Sequence, residues 1–336
     1  MDSRSQSDHG GQFKSRSFRH RLTHLRSHRH NDDSGSSLVN FGSEGIRATK
    51  VSLAGLGATA ALQALIVLVS GSVALLSDTI HNLGDALTAI PLWIAFAVGR
   101  RIPSRTYTYG LHRAEDLAGL LIVFAIGASA LLVGWESIQR LFEPRLIDQI
   151  PWVIAAGVVG AAGNEFVARY RIRVGQRIGS EALIADGRHA RSDAWTSLAV
   201  VAAGIGAAFG ISWVDPVAGL VVAAVITGLL IPSARGIGRR LLDGVDPELV
   251  ATAESVIRSV SGVRDVTELR LRYQGHHLHL SACIAVDPDL SLAAGHQSAH
   301  AVEHELHHAF GVPLVAIVHV EPLGVDEAHH SVAHHR

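Results

Sequence analysis

Among its 336 residues the chain has a single cysteine, Cys283. That excludes an intrachain disulfide framework and any zinc module built on several thiolates. Lysine is nearly missing as well, with Lys14 and Lys50 standing beside a large excess of arginine. Together with the richness in Ala, Gly and Val, this bias points to a GC-rich bacterial genome. Formal charge almost cancels at −1, and no nucleic-acid partner is expected. An apolar leader is also missing. The N-terminal stretch up to about residue 40 is Ser, His, Arg and Asp without an apolar core, so it reads as a disordered cytosolic tail and not as a secretory signal. Its histidines (His9, His20, His24, His28 and His30) suit loose metal capture, and equally a solvated basic tail.

What is present is apolar. Hydrophobic residues make up 48% of the chain and the mean hydropathy is +0.27. They concentrate between Ile46 and Gly236 in blocks too continuous for amphipathic surface helices. The sequence therefore predicts four segments: a His/Arg/Ser-rich tail over 1–45, a transmembrane domain over 46–236, a soluble domain over 237–323 and a His-rich tail over 324–336.

A crossing needs roughly 20 apolar residues at a rise of about 1.5 Å each. Six candidates meet this, at about 47–69, 73–99, 114–138, 150–170, 180–209 and 214–234. Arginines cluster in the N-tail, between Arg100 and Arg113, between Arg169 and Arg177, and at Arg235, Arg239 and Arg240, whereas the alternate connections are neutral, mixed or acidic. By the positive-inside rule both termini lie in the cytosol, in an inner membrane crossed six times. Asp215-Pro216 reads as a helix cap followed by the first helical position. Glu165, next to Asn164 in span four, reads as a group near the membrane edge answering nearby arginines, or as a proton relay.

Spans two and five carry the polar residues, and they repeat each other. Asp78, His81, Asp85, Ala86 and Thr88 align with Asp186, His189, Asp193, Ala194 and Thr196. His81 and Asp85 are four residues apart and share one helical face, as do His189 and Asp193; Asp78 and Asp186 stand one turn earlier on the same stripe. A carboxylate at mid-membrane costs about 2.5–3.5 kcal/mol on insertion scales, so these groups must face inward and find partners. Two imidazoles and two carboxylates from two helices make a four-coordinate set that zinc accepts. Both ligand types also bind protons, which a carrier trading metal for protons requires. Seen once, a His/Asp pair could merely join two helices; seen twice in one register, it points to an ion site.

Three motifs give the chain a resemblance to the cation diffusion facilitator family over roughly 46–322, and specifically to its zinc-transporting branch. They are Ser77-Asp78-x-x-His81-x-x-x-Asp85 with His189-x-x-x-Asp193, Tyr109-Gly110-Leu-His-Arg113-Ala114-Glu115, and Leu241-Leu242-Asp243-Gly244. The resemblance implies a homodimer that exports zinc, and also cadmium, cobalt, iron or manganese, by proton antiport. It implies alternating access at His81, Asp85, His189 and Asp193, with Asp78 and Asp186 in a second shell or vestibule. It further implies an Arg113–Asp243 pair where the membrane and soluble parts join.

The soluble segment reads as helix, strand, strand, helix, strand, which fits a ferredoxin-like α+β domain. In the strand His277–Val286, His277, His279, Ser281 and Cys283 alternate with Leu278, Leu280, Ala282 and Ile284. His296, His300, His304 and His307/His308 form one polar stripe on the following helix. The resemblance implies a regulatory zinc site from Cys283, His296, His319 and Glu321; the plain alternative is a dimerisation domain with surface histidines. Two rival functions are a membrane metalloenzyme, which needs more histidines and an open coordination position, and a metal sensor or scaffold. The sequence offers no nucleophile or cofactor motif, and no enzymatic activity is expected.

Overall fold

The computed structural model describes residues 33–70, 89–143, 149–211 and 213–324. Among these residues the helices that come first are α1 (Asp33–Ser70), α2 (Ala89–Gly99), α3 (Ala114–Phe142), α4 (Ile150–Ile178), α5 (Glu181–Ala208) and α6 (Val214–Leu241). A smaller αββαβ unit follows: α7 (Pro247–Ser259), β1 (Val263–Gln274), β2 (His277–Val286), α8 (Leu292–Ala309) and β3 (Leu314–Pro322).

Among the described residues four helices are long and apolar enough to cross a membrane, over Gly42–Ser70, Ala114–Phe142, Ile150–Ile178 and Val214–Leu241. Their outer faces leave Leu68, Phe124, Leu131 and Leu132 largely exposed, the pattern expected against lipid. α5 is as long as these, but Asp186, Arg188, Arg191 and Asp193 lower its hydropathy. α2 is apolar and short, and the part of span two that precedes it lies outside the described residues.

α4 and α5 form a tight helical hairpin. The sequence predicts a break from Arg171 onward, yet α4 continues to Ile178, running through Gly175, which packs closely against Ile184 of α5. Gly179 ends it in the left-handed conformation (φ 71°), and Ser180 caps α5 by accepting from the Leu183 amide at 3.1 Å. The two helices pack more extensively than any other pair. Gly187 allows this approach, since a Cβ there would lie 3.1 Å from the Ala168 carbonyl oxygen. Leu92, Phe96, Ile122, Ile126, Leu183, Ile226 and Ile237 form a shared core between α2, α3, α5 and α6.

Two local expectations are corrected or resolved. Asp215 is not the cap of α6: Trp213 holds that position, and Pro216 sits two residues deeper than the first helical position. The Asp215 carboxylate instead accepts twice from Arg140 Nη1, at 3.0 and 2.9 Å, tying α6 to the end of α3. Glu165 accepts from Arg169 at 2.7 Å and from Arg191 at 3.2 and 3.3 Å, so it answers arginines on its own and the neighbouring helix.

In the C-terminal unit the sheet order is β1-β2-β3, with β1 antiparallel to β2 and β2 parallel to β3. α8 makes the crossover that a parallel pair demands. One face buries Leu278, Leu280, Ala282 and Ile284 against Ala253 and Ile257 of α7 and Val302 and Leu306 of α8. The opposite face is open. Among the described residues the sheet has three strands, so the observed architecture is a small sheet covered on one side by two helices.

Candidate metal centre

On α5, His189 and Asp193 stand one turn apart on one face. His189 is 2% exposed, and neither ring nitrogen has a hydrogen-bond partner among the described residues. Its Nδ1 lies 3.9 Å from Asp193 Oδ1, too far for a hydrogen bond. Among the described residues nothing offsets the cost of about 1–3 kcal/mol that leaving such a buried polar group unpaired carries. Asp193 is 11% exposed and accepts from Ser192 Oγ at 3.4 Å. His81, Asp85 and Asp78 lie outside the described residues. Among the described residues no three His, Cys, Asp or Glu side chains converge to hold a metal ion, so α5 presents a pair and not a complete set.

The resemblance puts Asp186 either behind the site or in a vestibule, and its burial fits the first place and not the second. It is fully buried, with Oδ2 3.1 Å from Arg171 Nη1, and Arg171 is itself 1% exposed. The pair joins α4 to α5, and a carboxylate closed to solvent and neutralised by a guanidinium cannot line an entrance.

Where α3 begins and α6 ends, Arg113 Nη2 donates to Asp243 Oδ1. Asp243 adopts a left-handed backbone (φ 56°), which Asp tolerates better than most residues, and this turns the chain from α6 toward α7. The two side chains are 38% and 47% exposed, so the pair contributes about 0–1 kcal/mol.

In the sheet, Cys283 lies opposite Glu268 on β1 and opposite His319 on β3. Glu321 follows His319 on the same open face. His296 is not with them: it stands on α8, which covers the other face, so within one chain the sheet separates it from Cys283, His319 and Glu321. Burial pushes the Cys283 thiol up, and the charges of Glu268 and Glu321 push it further. The thiol is therefore held in its protonated form, which is the weaker ligand.

Residues 49–242 match the cation efflux transmembrane domain, and 245–323 match the cytoplasmic domain of cation efflux proteins. The chain belongs to the cation diffusion facilitator family. A probable cation efflux system protein of Mycobacterium tuberculosis is 51% identical over 290 residues, covering 86% of this chain and 87% of the relative. The manganese efflux system protein MneS of Bacillus subtilis is 26% identical over 275 residues, covering 81% and 94%. The magnetosome protein MamB of Paramagnetospirillum magneticum is 29% identical over 258 residues, covering 74% and 85%. The chain is thus a cation efflux transporter for divalent metal ions, with the domain type associated with dimerisation.

In this cation diffusion facilitator the sequence reading missed a histidine cluster where the two parts of the chain meet. The β1–β2 turn, Gly275-His276, inserts its tip against the start of α3. The Gly275 amide donates to Asp116 Oδ2 at 3.0 Å, and His276 Nδ1 lies 2.7 Å from Glu115 Oε2. Arg240 at the end of α6 donates to the Gly275 carbonyl oxygen and, at 2.7 Å, to that of Gly179, while its guanidinium stacks 4.2 Å from the Tyr273 ring. The rings of His112 and His277 lie 4.0 Å apart and those of His276 and His277 4.4 Å apart. Burial pushes the His112, His277 and His279 imidazoles down, His277 to about 2, with neighbouring histidine rings adding to the effect at His112 and His277. A Gly-His-His turn between two strands, together with the buried acidic start of α3, is the sequence signal that marks this contact.

Proposed function

We propose that this transporter exports a zinc-like divalent cation from the cytosol in exchange for protons, through a six-helix membrane domain with alternating access, working as a homodimer in a bacterial inner membrane with both termini cytosolic. The single observation that carries the reading is the buried imidazole of His189, which has no hydrogen-bond partner among the described residues and stands beside Asp193 inside the helical bundle. His81 and Asp85, at matching positions of the internal repeat, would supply the other half of a four-ligand shell. Imidazole and carboxylate both protonate when metal leaves, so one site serves both ions in turn.

Manganese is the second reading, since the relatives MneS and MneP are named for its efflux. Two imidazoles in the shell argue for the borderline ions instead, because manganese prefers oxygen donors. In the C-terminal domain, Cys283, His319 and Glu321 form a candidate regulatory face for zinc. His296 could join them only from a second copy of the chain.

In reconstituted vesicles, zinc uptake should collapse an imposed proton gradient, and Asp85→Ala or Asp193→Ala should abolish it. Transport surviving both substitutions would overturn the assignment. Competition between zinc, cobalt, manganese and iron, run in the same vesicles, decides the cargo.

A further inference from the structure

We propose that the exposed face of α8 carries two bis-imidazole sites for a borderline divalent cation such as zinc, one at His296–His300 and a second at His304–His308, separate from the transport site.

The sequence spaces these histidines at intervals of four, so all four project along one face of an 18-residue helix. The opposite face supplies Ala299, Val302 and Leu306 to the core, which fixes the rotation of the helix and holds the ladder outward. The rings converge in pairs. His296 Nε2 and His300 Nε2 are 3.0 Å apart, and His304 Nε2 and His308 Nε2 are 3.1 Å apart. Two nitrogens on one tetrahedral zinc, each with a bond of about 2.0–2.1 Å, stand about 3.3 Å from each other. Each pair is thus within a few tenths of an ångström of chelating geometry, with water able to complete the shell from the exposed side.

The first pair has a further feature. Glu303 Oε2 lies 3.2 Å from His300 Nδ1. A carboxylate accepting from Nδ1–H fixes the tautomer whose Nε2 bears the lone pair, and it raises the basicity of that nitrogen. Glu303 is a positioning residue in this scheme. It ranks the sites: His296–His300 binds more tightly than His304–His308.

The test uses the full chain in detergent on an Asp193→Asn background, so that zinc held at the membrane site does not enter the count. Zinc bound per chain is measured by equilibrium dialysis for the parent, for His296→Gln/His300→Gln, for His304→Gln/His308→Gln, and for all four together. Gln is a good helix former, so these exposed positions keep their helix. About one equivalent should be lost with each pair and about two with all four. Glu303→Ala should weaken the tighter site by roughly tenfold or more and leave the other unchanged. With copper as probe, two ions eight residues apart, about 12 Å along the helix, should broaden each other's electron paramagnetic resonance lines. Unchanged stoichiometry in the four-histidine variant overturns the proposal, as does a Glu303→Ala variant that affects both sites equally. With Asp193 restored, the four-histidine variant should lose the α8 zinc and keep transport, whereas the Asp193→Asn parent should keep the α8 zinc and lose transport, so the two sites stand or fall independently.

Discussion

Acidification should loosen the contact between the β1–β2 tip and the membrane helices. His277 is 8% exposed when docked, and burial, followed by the nearby His276 and His112 rings, pushes its imidazole down to about 2. The groups facing this cluster are Glu115 and Asp116 on α3, Arg113 just before it, Arg240 on α6, and Arg272, His276 and His279 on the strands. Released into water, His277 would return to its ordinary value of about 6.5. The sign follows from proton counting. Above pH ~6.5 both states are neutral at this ring and pH has no effect; below it the released hairpin binds a proton that the docked one refuses, so docking weakens as pH falls. At pH 7.5 the penalty is near zero, and at pH 5.5 it is about 1.4 kcal/mol, or roughly tenfold in the docking equilibrium. His112 and His279 act in the same direction, by less, because they are more exposed. Hydrogen exchange of peptides spanning 263–286 in the full chain, corrected for intrinsic rates, reads the equilibrium directly. Protection should drop by up to about tenfold between pH 7.5 and 5.5, and His277→Gln should remove most of that dependence. Protection that is constant with pH, or a drop of the same size in His277→Gln, would refute the reasoning.

The same contact predicts a steric result. Gly275 has φ 57°, and a Cβ there would sit 2.7 Å from the His112 carbonyl oxygen and 2.8 Å from Glu115 Oε2. Gly275→Ala should therefore undock the tip at neutral pH, with strain of about 1–3 kcal/mol, seen as raised exchange over 263–286 while the sheet core stays protected. In the membrane part, Asp186→Ala strands Arg171 without its partner and should cost about 3–5 kcal/mol in detergent thermal unfolding. Arg171→Met with Asp186→Leu should recover most of that loss, and a double variant as unstable as the single one would show that the pair does more than compensate charge.

Much of the architecture is legible because it rests on local rules. The strand His277–Val286 declares itself by strict alternation, and the structure places its bounds where that alternation runs. The four apolar spans declare themselves by length and composition. The misreadings come from groups whose partners are distant in sequence. Asp215 next to Pro216 looks like a cap until Arg140 is brought to it from the end of α3. His296 looks like a companion of His319 until α8 is seen to cover the far side of the sheet. The junction cluster joins residues more than 150 positions apart, and no periodicity encodes such a meeting.

Asp186 shows how the distant partner changes the chemistry and not only the map. Three titratable groups follow one another along the α5 stripe, and sequence spacing alone gives Asp186 the same standing as Asp193. Arg171 separates them: it compensates Asp186 inside the protein, whereas Asp193 lies beside the His189 ring. Charge balance makes this division useful. In a low-dielectric bundle a divalent cation is held best by about two negative charges, since a third would leave an unpaired buried charge whenever the ion is bound and a stronger repulsion whenever it leaves. On the proposed function, Asp193 and its repeat partner Asp85 would meet that requirement. Arg171→Met on its own should accordingly tighten retention of the cation and slow its exchange, because it returns the Asp186 charge to the stripe. Faster exchange in that variant would show that Asp186 plays no part in the electrostatics of the site.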